Sequence, residues 1–518
     1  MTTAVVVGAG PNGLAAAIHL ARHGVDVQVL EARDTIGGGA RSGELTVPGV
    51  IHDHCSAFHP LGVGSPFWAA IDLQRYGLTW KWPDVDCAHP LDDGTAGVLY
   101  RSIEATAAGL GPDGKRWQRA VGDLAAGFDE LPRLRDRPGS APGDRPTVAM
   151  AAGQDHQPQR RGQRPIQPGV DVRRGAAEQR ARPLGVKPTR HGGGRQRRAR
   201  TKAGQADRVT RHVEHRAQQI LGQLIEYVYT RLDRPLTASL GLMILASGHR
   251  HGWPVARGGS GSITKALAAA LDAYGGTVAT GVTVTSRRDI PDADIVMLDL
   301  SPAAVLGIYG DVMPTRINRS YRRYRAGSSA FKVDFAIEGD VGWTNPDCRR
   351  AGTVHLGGTF AEIADTERQR AQGTMVQRPF VLVGQQYLAD PSRSVGNINP
   401  IWAYAHVPFG YTGDATAAVI DQIERFAPGF RDRIVATVST STTELQTYNR
   451  NFIGGDIIGG ANDRLQVIFR PRVAVDPYAI GVPGVYLCSQ SAPPGAGIHG
   501  LCGYHAAESA LRWLRKRR

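Results

Sequence analysis

The sequence predicts an α/β fold organised on a buried parallel sheet, and two stretches carry that prediction. The chain opens with AVVVGAGPNGLAAAIHLARHGVDVQVLE, Ala4–Glu31, which reads strand, glycine turn, helix, strand and carboxylate. It closes with another strand, glycine-rich loop and helix over Val482–Leu514. Apolar runs of strand length between them supply the rest of this sheet and a second, mixed region.

Each part of the opening stretch has a mechanical reason. Ala4–Val7 is short, apolar and rich in β-branched residues, as a strand buried on both faces requires. Gly8 permits the tight turn, Gly10 keeps a side chain away from a pyrophosphate, and Gly13 lets helix and strand pack closely. Pro11 and Asn12 open the helix, whose free N–H groups suit phosphate oxygens. Val25–Leu30 is the second strand. Glu31 at its end accepts hydrogen bonds from both hydroxyls of a ribose and repels a 2′-phosphate, which disfavours NADP. Glycine turns alone are common; their order with strand, helix and acid points to a dinucleotide.

The turn ARDTIGGGARS, Ala32–Ser42, follows. Its Arg41 is expected on the pyrophosphate, with Ala32, Arg33, Gly38, Gly39 and Ala40 beside it; the plainer reading is a solvated loop. IHDHCSAFHP then gathers His52, Asp53, His54, Cys55 and His59. Neighbours on an extended segment face opposite ways and no CxxC or HExxH spacing occurs, so cleft lining or ordinary hydrogen bonding is expected and no metal. Residues 65–130 read as globular sequence with Trp68, Trp80, Trp82 and Trp117 for a core. Arg116–Leu131 has a helical pattern that puts Val121, Leu124, Ala125 and Phe128 on one side.

The character changes at Leu131. To Gln219 there is no Phe, Tyr or Trp, and Arg, Gln, Gly and Pro dominate, so little apolar surface is available to offset ordering entropy. Three readings compete: an insertion that binds nucleic acid or anionic lipid, an inert linker, or a shifted reading frame in a GC-rich gene. The last is preferred, because out-of-frame GC-rich codons give this mixture.

Globular character returns at Ile220. Leu236–Ser247 reads as a buried or interfacial helix. A glycine loop (Gly258, Gly259, Gly261), a helix Ser262–Tyr274, a Gly275-Gly276 turn and short strands through Val284 come next, then the buried strand Ala293–Asp299. Phe331–Ile337 and Phe380–Gln386 are strand-like, and Asp421–Phe430 ends a helix at a proline turn. The last block runs strand Val485–Cys488, loop SAPPGAGIHGLCG, helix Tyr504–Leu514, with Arg512 and Arg515–Arg518 offsetting the helix dipole.

Composition narrows the function classes. At 518 residues the chain is long enough for two interleaved domains. The net charge of +14 suggests nucleic acid, but Leu131–Ile220 holds 21 Lys+Arg against 7 Asp+Glu, which leaves 40 of each elsewhere. No specific nucleic-acid partner is expected of the neutral remainder. No apolar run reaches the ~18 residues of a membrane span, and the N-terminus enters the first strand directly, without a secretory leader. The cysteines Cys55, Cys87, Cys348, Cys488 and Cys502 are dispersed, as in a reducing cytoplasm.

GAGPNG with Glu31, GGGARS, WPVARGGSGSI and PPGAGIHGLCGYHAA together resemble the FAD-dependent phytoene-desaturase-like and amine-oxidase-like oxidoreductases. Within these the chain is most similar to the branch called pyridine nucleotide-disulphide oxidoreductase domain-containing protein 2. That branch's stretches stand here as AGTVHLGGT, WAYAHVP, IERFAPGF, GGDIIGG and YLCSQSAPPGAGIHG. The resemblance covers about 1–130 and 220–518. Two departures stand out: the Arg-rich stretch replaces apolar helices of a substrate domain, and the last strand ends in Ser489-Gln490 instead of Gly-Asp.

The resemblance implies FAD. Gly8, Gly10 and Gly13 hold the pyrophosphate, Glu31 the ribose, Arg41 a phosphate, and the backbone at Val282 and Val284 the adenine. Gly495, Gly497, Ile498 and Gly500 lie against the flavin. The implied architecture is a Rossmann-type FAD-binding domain (1–75, 245–301, 476–518) with an interleaved α+β substrate domain (76–130, 220–244, 302–475). The implied reaction is hydride removal from an apolar, isoprenoid or lipid-like substrate, with reoxidation by a quinone or oxygen. Of His54, His355, His406 and His499, the last is the preferred proton carrier because it lies in the flavin loop. A flavin amine oxidase, or a non-catalytic or damaged protein that keeps only the FAD fold, are the alternatives. A cytoplasmic location, with peripheral contact at a membrane surface, completes the expectation.

Overall fold

A computed structural model describes residues 1–128, 237–462, 466 and 468–517. The Arg-rich stretch 131–219, the last residues of the helix expected to Leu131, and 220–236 lie outside the described residues. In chain order the strands of the two main sheets are β1 (Thr3–Val7), β2 (Asp26–Leu30), β3 (Val85–Pro90), β4 (Ala96–Leu99), β5 (Thr277–Ala279), β6 (Ile295–Leu298), β7 (Ser329–Glu338), β8 (Ala351–Leu356), β9 (Val381–Gly384), β10 (Ile398–Val407), β11 (Ile434–Thr440) and β12 (Val485–Leu487). The helices that position the site are α1 (Pro11–Ala21), α2 (Gly114–Ala126), α3 (Thr237–His251), α4 (Gly261–Ala273) and α5 (Leu501–Arg517).

The first sheet is five-stranded and wholly parallel, in the order β12–β6–β1–β2–β5. Val7 at the end of β1 is level with Leu298 on one side and Leu30 on the other. The chain therefore leaves three adjacent strands at one edge. Val5, Val6 and Val7 are buried, as is all of α1 but Asn12. α1 lies between α4 and α5, and small residues (Ala15, Ala16, Ala506, Ala507, Ala510) let the helices approach.

The second sheet has seven strands, β11–β7–β10–β9–β8–β3–β4, antiparallel except between β8 and β3. The period of two on β7 decides its faces. Phe331, Val333, Phe335 and Ile337 join an outer core with Trp343 and Phe430. Lys332 and Asp334, also buried, lie on the opposite face, level with Tyr404 and Trp402 of β10.

Three expectations need correction. α5 starts at Leu501 instead of Tyr504, because His499 Nδ1 accepts the Leu501 N–H at 3.1 Å and so caps an earlier turn. Val282–Val284 is outside any strand. Trp82 is 41 % exposed, held by Nε1 donation to the His251 carbonyl at 2.8 Å, so it is no core residue. The five cysteines are free and buried.

Candidate cofactor cleft

Where β1, β2 and β6 end, the chain opens a cavity of about 970 Å³. Gly8 makes the first turn with φ +104°, and its N–H donates to the Leu30 carbonyl at 2.7 Å. A Cβ on Gly10 would lie 2.7 Å from Asp299 Oδ2, so the loop's approach depends on glycine there. Gly8, Gly10, Pro11 and Asn12 face the cavity. Gly13 stands behind them, where a Cβ would collide with the Gly8 carbonyl.

Glu31 lies at the end of β2, buried, with its carboxylate on the cavity wall. Its Oε2 accepts the Ala9 N–H at 2.8 Å, and Oε1 accepts the Arg33 N–H at 3.0 Å and Arg41 Nη2 at 3.3 Å. Each oxygen keeps acceptor capacity beyond these. Arg41 also faces the cavity, but its guanidinium donates chiefly to the carbonyls of Thr35, Ile36 and Gly38, so it folds the turn around itself. Ala32, Arg33, Gly38 and Gly39 line the wall; Ala40 is buried behind it, its N–H held by the Gly37 carbonyl. Val282 and Val284 line the same end, and the Val282 N–H is already given to the Glu31 carbonyl at 2.8 Å.

Across the cavity lie Gly495, Gly497 and Ile498. Ile498 holds φ +53°, a left-handed conformation costly for a branched residue, with its carbonyl fixed by Trp68 Nε1 at 3.0 Å. Gly500 is packed on the Trp68 ring, off the wall. His499 is also off the wall. Burial pushes its imidazole down to about 4, so it is neutral, and its carbonyl accepts the Ser65 hydroxyl at 2.7 Å. The other candidate histidines stand back as well. His54 stacks on Tyr448, with ring centroids 5.2 Å apart. His355 and His406 are buried on the second sheet, burial lowering both, His355 to about 3. The cluster around His52 disperses to separate partners, His52 to Asp334 and His59 to Ser260.

The comparisons bear on what such a cleft holds. The NAD(P)-binding Rossmann-like domain family matches residues 6–72. Mouse pyridine nucleotide-disulfide oxidoreductase domain-containing protein 2 is 23% identical over 99% of this chain and 94% of its own length. An oxidoreductase from Methanosarcina mazei superposes with a TM-score of 0.59 at 14% identity, covering 98% of this chain and 100% of that one. Cyclohexylamine oxidase from Brevibacterium oxydans gives 0.56 at 16%, covering 99% of each. The chain has the fold of these two solved proteins. The expected fold class stands.

The residues present fit the FAD that the sequence resemblance implies. Glycines leave the backbone bare beside the N-terminus of α1, a carboxylate with spare acceptor capacity sits at the end of β2, and the cavity continues to the Gly495–Ile498 loop. Sequence reasoning missed part of the wall. Asp299, just past β6, accepts the Gly13 N–H at 3.0 Å, and burial raises its carboxyl to about 7. Its signal was present: like Glu31 it ends a parallel strand, where ligands of such sheets bind. Tyr448, Asn451, Trp402 and Tyr404 also line the cavity, and nothing local in their sequence marks them.

Proposed function

We propose that the protein is an FAD-dependent dehydrogenase or desaturase acting on an apolar, isoprenoid- or lipid-like small molecule. One observation carries the reading. Besides the nucleotide-loop residues, the cavity is lined by the apolar and aromatic side chains of Phe58, Met243, Ile244, Trp402, Tyr404 and Ile457. The flavin supplies the electron sink. The chain's own part is to hold, orient and dry the site. Glu31 takes the ribose, the bare N-terminus of α1 the pyrophosphate, and Val282–Val284 the adenine. The Gly495–Ile498 loop, held by His499 through Ser65 and the cap on α5, fixes the ring system. His499 is thereby a positioning residue. In the proposed division, 1–75, 245–301 and 476–518 hold the cofactor while 76–130, 220–244 and 302–475 shape the substrate. Reoxidation by a quinone or oxygen and a cytoplasmic place with membrane-surface contact belong to the same proposal. No helix among the described residues is long and apolar enough to cross a membrane.

A flavin amine oxidase is the second reading, favoured by the Trp402–Tyr404 pair on the wall, 4.9 Å between centroids and nearly perpendicular at 87°. The deciding experiment is an absorbance spectrum of the purified protein, followed by anaerobic titration with apolar alkenes and primary amines. Equimolar flavin, bleached by the apolar compounds and reoxidised by quinone or air, is expected. Bleaching by amines alone selects the second reading. Protein without flavin that FAD does not restore, or bound flavin that neither class reduces, sinks both.

A further inference from the structure

We propose that His19, His23 and Glu508 form a binding site for a divalent transition-metal ion of the zinc class, bridging α1 and α5. His19 is in the last turn of α1 and His23 in the turn that closes it, so the i, i+4 spacing puts both rings on one side. Glu508 faces them from α5. One ligating atom from each of the three lies within 4.8 Å of the others; among the described residues they are the group of three or more such side chains so disposed.

The His23 ring is oriented as a metal-bound histidine is. His23 Nδ1 lies 2.8 Å from the His19 carbonyl, to which only its N–H form can donate; that tautomer leaves the lone pair on Nε2. His19 is buried, its ring fixed between Tyr504 (centroids 4.7 Å) and Phe67 (6.0 Å), and its Nε2 lies 2.5 Å from Glu508 Oε1. Its Nδ1 is buried with no hydrogen-bond partner. Glu508 is about a quarter exposed and has one oxygen toward Arg512, at 3.9 Å. An ion entering from the solvent side beside exposed His23 has to part Nε2 from Oε1, now 2.5 Å apart, by about an ångström to reach ~2.0–2.2 Å bonds to each in tetrahedral geometry.

Two imidazoles and one carboxylate select zinc, nickel or copper; calcium and magnesium take oxygen ligands. Three protein ligands leave the remaining position to water. The site lies at the end of α1 away from the Gly8–Gly13 loop, roughly 16 Å along the helix, and does not rest on the flavin reading. By clamping α1 to α5 it joins the helix whose N-terminus opens at the cavity to the helix that follows the Gly495–Ile498 loop.

The test uses untagged full-length protein stripped with a chelator, and Zn²⁺ in competition with a chromophoric indicator. A Co²⁺ spectrum reports the coordination. Micromolar or tighter Zn²⁺ binding is expected, with a Zn²⁺-induced rise in melting temperature. Affinity should fall at least about tenfold in both His23→Ala and Glu508→Gln, with the melting shift and cobalt bands lost. His23 is exposed, so that variant keeps the fold, and its unchanged melting temperature without metal checks this. No ion held at micromolar concentration, or His23→Ala binding as tightly as the wild type, overturns the site and leaves His19–Glu508 an ion pair only.

Discussion

Asp299 and Glu31 end the two strands that flank β1, and they meet the glycine loop in different surroundings. Glu31 is surrounded by donors, the N–H groups of Ala9 and Arg33 and the Arg41 guanidinium. Asp299 has the Gly13 N–H and is otherwise desolvated; burial, against that hydrogen bond and aided by the Glu31 charge, raises it to about 7. Because its folded value exceeds the ordinary 3.8, the folded state binds the proton more tightly. Asp299 therefore costs stability fully above about pH 7, progressively less as the pH falls toward 4, and nothing below. Asp299→Asn keeps an acceptor for Gly13 and removes the charge. It is expected to gain on the order of 2 kcal/mol near pH 8, a gain that vanishes toward pH 4. Denaturant unfolding of both proteins across that range checks it; a pH-independent difference would remove the titration of Asp299 as its cause.

At the level of elements, the sheet edge and the first helix were legible because their determinants are local: β-branched strands, glycine at a left-handed turn, alanine along a helix. What decides how α1 and α5 meet is not local. A Cβ on Gly503 of α5 would overlap the backbone carbonyl of Asn12 in the first turn of α1, so the helices touch at the cofactor loop. Gly503→Ala is accordingly expected to lose about 2 kcal/mol or more, with a drop in the flavin-to-protein ratio, because the collision is with backbone and has no rotamer escape. Gly122 is the control. It is also inside a helix, α2, but its Cβ would meet nothing within 4 Å, so Gly122→Ala is expected to gain up to about 1 kcal/mol of helix propensity. Melting curves that rank the two variants in the opposite order would sink the packing argument.

The whole molecule is held by pairings that no window of sequence contains. Asp53 belongs to a stretch expected to line the cleft or make ordinary hydrogen bonds, and Arg393 to the loop between β9 and β10, 340 residues later. Both are fully buried, with Arg393 Nη1 2.5 Å from Asp53 Oδ2. Arg393 also reaches Asp390 at 3.2 Å and the Ala256 carbonyl at 2.8 Å, while Asp53 Oδ1 accepts the Ser42 hydroxyl at 2.6 Å and the Ser260 N–H at 2.7 Å. One buried cation thus ties a loop of the second sheet to two segments beside the parallel one. Arg393→Ala leaves Asp53 without its counter-charge and is expected to cost about 3–5 kcal/mol near neutral pH. Burial alone pushes Asp53 up, but Arg393, Ser42 and Ser260 together hold it below the usual carboxylate range. In the wild type that contribution is present above the ordinary carboxylate pKa and lost as the pH falls through the depressed one. In Arg393→Ala the sign reverses: burial dominates, Asp53 protonates at a higher pH, and protonation relieves the unpaired charge. The gap between the two proteins should therefore be widest near neutrality and close as the solution is acidified, which unfolding curves at a series of pH values would show. A gap that instead stays constant would mean that Arg393 acts through packing, as its long buried stem allows, and that the charge pair does not set the joint between the sheets.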